Sequence, residues 1–394
     1  MDELFVFAAD THLDLARFAR HPAMTGDSRF AFSQIVDYCV CERLPLLLGG
    51  DIFDKARPDP GTVRFFMDQL ARMREAGQPV YFVQGDHDRD ALQPWPGLSD
   101  VAQHIHHKLV EFDGGIRVWG QDFVPRAQVA EQFAAIPPEA NTLLIHISWS
   151  DLRRIGTTHA ELSSVPVVPV VLTGDYHVCC EVAATGASGQ PVRAISPGST
   201  HSRALNEPLQ KYVLVCGVDE SGRFAYRRQP LLSRPQFNGV VQTEEDLAAV
   251  IRDAYAFAAA IPESIPEEIR KPVAWIKFRD DIPDAYARLA AVFAEDWFFF
   301  PDPQHVEQTV QVGVTEAMAG STNGLFEALA ALRPEKDRVY QAACHLLEAA
   351  MKGRLKEAVD EVAAIFEKDA LVYGATQPES LQFLSAPAAG AGVS

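Results

Sequence analysis

Five apolar runs in this chain each end at an aspartate or a histidine. In the stretch 170–178, VVLTGDYHV, the run stops at Gly174, and Asp175 and His177 follow two residues apart. Apolar runs of this length predict buried strands, and open α/β sheets collect ligands beyond the carboxyl ends of their strands. The sequence therefore predicts one cluster of carboxylates and imidazoles at a sheet edge. The candidate members are Asp10, His12, Asp51, Asp54, Asp86, His87, Asp88, His146, Asp175 and His177.

Carboxylates and imidazoles together, with no cysteine, suit divalent ions such as Mn²⁺, Mg²⁺, Fe²⁺ or Zn²⁺. So many ligands exceed the needs of one ion but suit two. A pair of ions about 3.5–4 Å apart lowers the pKa of water and neutralises the oxygens of a phosphate. Glycines before Asp51, Asp86 and Asp175 allow the backbone to turn sharply and to approach the ions. The residue types therefore predict a two-metal centre that cleaves phosphoesters.

Strand and helix patterns alternate over residues 1–230, which predicts a layered α/β core. Continuous apolar strands indicate sheets that are covered on both faces. Helices are predicted over 28–43, with Ser28 as the N-cap, and over 60–76, with Pro60 in the first turn. The predicted strands are 4–10, 44–51, 79–86, 116–123, 141–148, 167–175 and 192–199.

The length of 394 residues favours two or three domains. Two prolines in 229–237 predict a linker. A small second α/β domain is predicted after it, from a helix at 243–260 (N-cap Thr243), a strand at 271–281 and a helix at 283–296. Two amphipathic helices are predicted within 336–370, and the low-complexity end is predicted to be disordered. The predicted divisions are 1–230, 236–315, a helical region 323–385, and a tail 386–394.

The motifs DTH, GGDIFD, GDHD, a lone strand-end histidine and GDYH resemble those of the calcineurin-like metallophosphoesterases. The longer stretches GGDIFDKARPDP and ISPGST resemble the SbcD-type branch, whose members are nucleases of DNA repair and recombination that work with an SMC-like (SbcC-type) ATPase. The resemblance covers roughly residues 4–215. It implies a core of two sheets flanked by helices, a small capping domain and a helical C-terminus, the last two matched to 236–394 by layout alone. The helix pair at 336–370 either docks an ATPase or packs on its own domain.

The resemblance also implies a role for each residue of the cluster. His87 would protonate or steer the leaving oxygen, Asp88 would orient His87, and Asp54 would support the second loop. The implied ligands are Asp10, His12 and His177 for one ion, Asp86, His146 and Asp175 for the other, and Asp51 as the bridge between them.

Two positions depart from the usual pattern of that family. Asp86 stands where the family usually has asparagine, and Asp175 where it usually has histidine. Both belong to the same ion, whose site therefore becomes richer in oxygen. Four carboxylates would balance the charge of two divalent ions, so we expect Mn²⁺, or else Mg²⁺, to be preferred over zinc, and water to be activated less strongly.

The formal net charge of −18 disfavours a simple DNA-binding module, because an acidic protein repels a polyanion at long range. A nuclease would need bound cations, a basic rim or a basic partner. The candidates for a rim compete with ordinary surface charge; they are Lys55, Arg57, Arg153, Arg154, Arg203 and Lys211. The histidine-rich stretch 104–109 is interpreted as a solvated strand, with His104 and His106 on one face, and not as a metal site.

Three functions remain open to the sequence. The leading one is a two-metal DNA nuclease, for which the resemblance implies exonuclease action on duplex ends, endonuclease action on single strands, and a homodimer. The second is a phosphodiesterase or phosphatase of small molecules with the same centre. The third is a non-catalytic scaffold, which the retained ligands disfavour. The N-terminus is acidic and unlike a secretory signal, and the cysteines lack framework spacing, so we expect free thiols in the cytoplasm. No apolar run reaches the roughly 18 residues needed to span a membrane, so we expect no membrane association.

Overall fold

A computed structural model of the chain describes residues 1–13, 15, 24, 26–88, 97–152, 158–293 and 295–304. The predicted helical region 323–385 and tail 386–394 lie outside the described residues, as do Arg153 and Arg154. Among the described residues, no helix has the length and apolarity needed to cross a membrane. The five described cysteines are free thiols.

The first sheet has six strands and carries the first three motifs. Its order is β12-β11-β1-β2-β3-β4, in which β1, β2, β3 and β4 are parallel. The strands are β1 (Asp2–Ala8), β2 (Leu46–Gly49), β3 (Val80–Val83), β4 (Gln103–His104), β11 (Lys211–Val218) and β12 (Phe224–Leu231).

The second sheet also has six strands, in the order β5-β6-β7-β8-β10-β9, and its central strands are parallel. Phe5, Phe7 and Leu47 of the first sheet share one buried cluster with Leu144 and Leu172 of the second, so the two sheets pack face to face. The strands are β5 (Leu109–Glu111), β6 (Arg117–Gln121), β7 (Thr142–Ile145), β8 (Val170–Thr173), β9 (Cys180–Thr185) and β10 (Pro191–Ser196).

Helices cover the outer face of the first sheet and bury its second apolar side. In α1 (Gly26–Glu42), Phe32, Ile35 and Cys39 lie on one buried face, and each fully buried apolar side chain of this kind contributes about 1.5–3 kcal/mol. In α2 (Pro60–Glu75), Pro60 lies in the first turn as predicted, and Asp59 caps the helix. The predicted N-cap Ser28 is wrong, because α1 begins at Gly26 and Ser28 is buried within it. The short helices are α3 (Leu98–Val101) and α4 (Val129–Ala134).

The layered α/β fold class is therefore confirmed: two sheets are flanked by helices. The ends of β1, β2 and β3 in one sheet and of β7 and β8 in the other converge on one edge of the sandwich. Asp175 N donates a hydrogen bond to Asp10 Oδ1 across the two sheets, at 3.1 Å. The fold thus brings together motifs that are 165 residues apart in the chain.

A third sheet of three parallel strands follows, with its own buried cluster against two helices. Thr243 caps α5 as predicted and forms a reciprocal capping box with Asp246. By contacts, residues 1–306 group as one unit, and the division into 1–230 and 236–315 stays a prediction. The elements are β13 (Gln236–Val241), α5 (Glu244–Ala260), α6 (Glu267–Arg270), β14 (Val273–Arg279), α7 (Ala285–Phe293) and β15 (Phe298–Gln304).

The linker predicted at 229–237 is shorter than expected, because β12 continues to Leu231 and β13 starts at Gln236. Pro230 is compatible with a strand here since β12 is an edge strand, where a missing N–H breaks no sheet ladder. The same reasoning applies to Pro301 and Pro303 in β15, another edge strand. The sequence patterns did not predict this strand, because its prolines are atypical of strands.

Arg234 joins the third sheet to the core. Its guanidinium donates to Asp27 in α1 at 2.6 and 2.9 Å and to the carbonyl oxygen of Lys271 at 2.7 Å. The side chains of Arg234 and Asp27 are only 4% and 15% exposed. Loss of one partner would leave a buried charge uncompensated.

We therefore expect Arg234→Met to lower the free energy of unfolding by about 3–5 kcal/mol, the usual cost of breaking a buried ion pair. Urea denaturation measures the change. Arg64→Met is the matched control, because the Arg64–Asp68 pair is 84% and 66% exposed and such pairs contribute at most about 1 kcal/mol. Equal losses in the two variants would contradict the role given to Arg234.

Candidate metal centre

The loops that follow β1 and β2 are tied together by backbone hydrogen bonds. Asp10 N donates to Gly50 O at 3.1 Å, and His12 N donates to Asp51 O at 2.9 Å. Asp10, His12 and Asp51 have φ values of 52°, 33° and 49°, and Asp175 has one of 69°. This left-handed region is costly for residues other than glycine and is concentrated at functional sites. The strain falls on four of the predicted ligands.

The Asp51 carboxylate lies between two buried imidazoles. Its Oδ2 is 3.3 Å from His12 Nε2 and its Oδ1 is 3.5 Å from His146 Nε2. Oδ1 also accepts a hydrogen bond from His87 N at 3.1 Å. With one oxygen facing each side, Asp51 is placed where a bridging ligand would be needed.

Two groups of ligand atoms flank Asp51, and they contain the same residues as the two predicted ligand sets. Asp10 Oδ1 is 3.5 Å from His177 Nε2 and 3.8 Å from His12 Nε2. On the other side, His146 Nε2 is 3.6 Å from Asp86 Oδ1, with Asp175 alongside. Within each group the ligand atoms lie within 4.8 Å of one another.

The second ring nitrogen of two imidazoles is held by a hydrogen bond to a carbonyl oxygen, and that of a third faces a carboxylate. His146 Nδ1 donates to Gly49 O at 2.8 Å, and His87 Nδ1 donates to Asp54 O at 2.8 Å. His12 Nδ1 lies 3.5 Å from Asp54 Oδ1. Metal-binding histidines are commonly oriented in this way, with the other nitrogen left for the ion. Asp54 thus supports two of the rings.

The donor set fits divalent cations on a structural ground. His12 and His146 are completely buried, yet the Nε2 of each has no hydrogen-bond partner, and neither has Asp10 Oδ2. A buried polar atom without a partner costs about 1–3 kcal/mol. A cation between these atoms and Asp51 would satisfy all of them.

Asp88 is placed differently from its predicted role. Its carboxylate is fully buried and accepts hydrogen bonds from the backbone N–H groups of Ile52, Phe53 and Gly85, at 3.0–3.1 Å. Burial and the Asp51 charge raise the pKa of Asp88 to about 6. Asp88 therefore fastens the second loop to the third, and the Asp54 carbonyl, not Asp88, orients the His87 ring.

The predicted basic rim is only partly present. Lys55 and Arg57 are exposed on the second loop, where they could contact a substrate. Lys211 is buried and donates to Glu207 at 2.7 Å, so its assignment to the rim is wrong. Arg203 is half-buried, with its guanidinium against the His177 ring. The packing of the segment 199–211 buries Lys211 and turns Arg203 toward His177.

Residues 4–186 match the family model of the calcineurin-like phosphoesterases. These residues form a calcineurin-like phosphoesterase domain. The match ends before β10, and it includes both groups of ligand atoms and Asp51.

Two curated proteins are similar to the chain. The DNA double-strand break repair protein Mre11 of Methanosarcina acetivorans is 24% identical over 277 residues, which are 65% of this chain and 44% of that protein. The uncharacterized metallophosphoesterase YhaO of Bacillus subtilis is 36% identical over 95 residues, 22% of this chain and 23% of that protein. The chain thus spans less than half the length of either relative.

Sequence reasoning missed three supporting residues, of which Glu207 lies beyond the matched residues 4–186. Asp122 Oδ1 accepts a hydrogen bond from Gln84 N at 2.8 Å, just before the third motif, and contacts His104 Nε2 at 2.8 Å. Ser148 Oγ donates to Asp175. Glu207 lies near His177. Ser148 follows His146 by two residues, which was the only local signal; the others come from distant loops.

None of the candidate groups of ligand atoms found among the described residues includes a histidine of the stretch 104–109. His104 and His106 both contact Asp122, while His107 contacts Gln132 at 2.6 Å. The interpretation that this stretch is not a metal site is consistent with these contacts.

The buried carboxylates and imidazoles of the domain shift each other's pKa. Burial alone would lower the pKa of His12 and His146, but the neighbouring Asp10 carboxylate raises the pKa of His12 and the Asp51 charge raises that of His146. Burial would likewise raise the pKa of Asp10 and Asp51, but the histidines lower both. The metal-free cluster thus favours protonated histidines beside ionised aspartates.

We expect Mn²⁺ binding to release protons, because an ion can bind Nε2 of His12 and His146 only after the proton has left. Both pKa values are raised, so the apparent affinity should increase as pH rises through them. Calorimetric titration at pH 7 in two buffers of different ionisation enthalpy measures the release. Identical heats in the two buffers would contradict the prediction.

Gly85→Ala should disrupt the cluster without altering any ligand. A Cβ at this position would lie 2.1 Å from Asp51 Oδ1 and 2.4 Å from Asp51 N. Displacement of Asp51 should weaken Mn²⁺ binding at least about tenfold, as losses of supporting groups do. Calorimetry measures the affinity.

Gly26→Ala is the control for this variant, since no atom lies within 4 Å of the added Cβ. Its Mn²⁺ affinity should equal that of the wild type. Unchanged affinity in Gly85→Ala would show that the third loop does not need this close approach.

Proposed function

We propose that this chain is a two-metal phosphodiesterase that cleaves DNA. The observation that carries the proposal is Asp51 between two groups of aspartate and histidine ligands at the end of five strands. The histidines on the inside are fully buried, whereas the Asp86 side chain is 44% exposed. The cluster is therefore open to a substrate on the side of Asp86 and His87.

The chemistry follows from the residues at that open side. Two divalent ions in the cluster would supply an acidified water and positive charge against the phosphate oxygens. The His87 ring is fixed by the donation of its Nδ1–H to Asp54 O, which leaves Nε2 to hold a proton for the leaving oxygen. Asp51 fixes the same loop by accepting from His87 N.

DNA as substrate is supported by the similarity to Mre11, a DNA double-strand break repair protein, and by the SbcD-type motifs. Lys55 and Arg57 provide exposed positive charge beside the cluster. From the same resemblance we propose exonuclease action on duplex ends, endonuclease action on single strands, an SMC-like ATPase partner and a homodimer. That partner would supply affinity for DNA which the acidic chain lacks. A cytoplasmic location stays a prediction.

Mn²⁺ is the ion we propose, with Mg²⁺ next. Asp86 and Asp175 make the His146 side of the cluster rich in carboxylate oxygen, and Ser148 donates to Asp175. Oxygen ligands suit Mn²⁺ and Mg²⁺ better than the nitrogen and sulfur ligands typical of zinc.

A small phosphodiester is the second candidate substrate, and one observation favours it. Two of the basic residues expected at a DNA rim, Arg203 and Lys211, face His177 and Glu207 instead. This leaves less positive charge for a polyanion in a protein of net charge −18.

We expect purified protein with Mn²⁺ to cleave end-labelled DNA, and His87→Ala to reduce the rate by about 10²–10⁴-fold, the usual contribution of a general acid. Mn²⁺ binding should be retained in this variant. Gel-based cleavage rates and calorimetry measure the two quantities. The control is His107→Ala, which removes an exposed imidazole that contacts Gln132 and not the cluster.

The substrate class is tested with bis-p-nitrophenyl phosphate and with the double variant Lys55→Ala/Arg57→Ala. For a nuclease, the double variant should weaken DNA cleavage and its salt dependence but leave the rate on the small ester unchanged. Cleavage of the ester by the wild type without any cleavage of DNA would favour the second candidate.

A further inference from the structure

A buried polar cluster lies behind His177, outside the matched phosphoesterase region. It is formed by Ser199, Arg203, Glu207 and Lys211. Lys211 is 2% exposed and Glu207 12%. A buried ion pair contributes little to stability by itself, because the desolvation of both charges offsets their attraction. Stability alone therefore does not explain why this ion pair is buried.

The two oxygens of Glu207 have different surroundings. Oε2 accepts hydrogen bonds from Lys211 Nζ at 2.7 Å, Arg203 N at 3.1 Å and Ser199 Oγ at 3.2 Å. Oε1 faces His177 Nδ1 at 3.8 Å. Three donors thus anchor the carboxylate by one oxygen and present the other to the imidazole.

Without an ion, Arg203 Nη1 is the nearer neighbour of His177 Nδ1, at 3.1 Å. When Nε2 holds an ion, Nδ1 carries the hydrogen of the ring and needs an acceptor. The Nε2 of His177 points toward Asp10 and the cluster, at 3.5 Å from Asp10 Oδ1. Arg203 Nη1 also lies against the ring, but a guanidinium has only donors and cannot accept the Nδ1–H. Glu207 Oε1 is the acceptor that the geometry offers.

The other three imidazoles of the site follow the same rule. Gly49 O holds His146, Asp54 O holds His87, and Asp54 Oδ1 lies at Nδ1 of His12. His177 is the fourth member, and Glu207 stands at the corresponding position. A carboxylate behind a metal-binding histidine orients the ring and strengthens its binding.

We infer that Glu207, neutralised by Lys211 and anchored through Ser199, is the positioning residue for His177 and sets the affinity of the ion on the Asp10–His12–His177 side. This rests on the two-metal centre of the proposed function. The segment after β10 thereby acts on the metal cluster from beyond residues 4–186, the part of the chain that matches the phosphoesterase family. Arg203 Nη1 contacts both ring nitrogens of His177 in the absence of an ion, so an ion at Nε2 would require this guanidinium to move.

The test is a titration of the metal-free full chain with Mn²⁺, in which electron paramagnetic resonance counts the free ion. The wild type should bind two ions. Glu207→Ala should weaken one of them about 10–100-fold and leave the other unchanged. Glu207→Gln should recover part of the loss, because its side-chain carbonyl oxygen can also accept a hydrogen bond from His177 Nδ1.

Glu181→Gln is the matched control, since Glu181 is exposed and its carboxylate pairs with Arg193 and Tyr226; it should bind both ions like the wild type. Wild-type affinities in Glu207→Ala would overturn the inference. So would an equal loss at both sites with a lower melting temperature and no recovery in Glu207→Gln, because that pattern indicates a general structural role.

The titration needs no substrate, so its failure is separate from that of the proposed function. Absence of cleavage with both ions bound would count against the nuclease and leave the role of Glu207 intact. Normal Mn²⁺ binding in Glu207→Ala would count against the role of Glu207 and leave the proposed nuclease intact.

Discussion

The Asp51 carboxylate, held between His12 and His146, is the contact on which the site depends. His12 follows a strand of the first sheet and His146 follows a strand of the second, so this one side chain joins the two halves of the sandwich. Its position is secured by a left-handed backbone, by the absence of a side chain at Gly85, and by the fastening of its loop through Asp88. A cluster of buried aspartates would repel itself in isolation, and the intervening imidazoles make it tolerable in the metal-free protein.

The two sheets together bring the aspartates and histidines of the cluster to one edge of the sandwich. Parallel strands bring their carboxyl ends to one edge, and the face-to-face packing of Phe5, Phe7 and Leu47 against Leu144 and Leu172 keeps the two edges together. The loops beyond the strands carry the strain, while the buried strands and helices supply the stability that offsets it. Catalytic groups on such rigid supports keep their geometry without a bound ligand.

Charge is distributed in a way that fits a phosphate substrate but leaves its size open. The exposed cations Lys55 and Arg57 follow Asp54 in the second loop, whereas Lys211 and Arg203 are turned inward toward Glu207 and His177. The chain is strongly acidic overall. An acidic phosphoesterase can bind a polyanion when bound metal ions and a basic partner offset its negative charge. It can bind a small phosphoester with the metal ions alone.

The sequence by itself determined the kind of fold, the ligand types and the strand ends that carry them, because apolar periodicity and glycine placement are local properties of the chain. Asp10, His12, Asp51, Asp86, His146, Asp175 and His177 are among the ten residues that this local pattern predicts, whereas their selection as metal ligands came from the family resemblance and stays a prediction. Only the tertiary structure decided what surrounds them. Asp88 binds amides and not His87, Lys211 is buried, and Asp122 and Glu207 support the site from distant loops. Those neighbours depend on how loops separated by tens of residues pack together, and no local pattern encodes that packing.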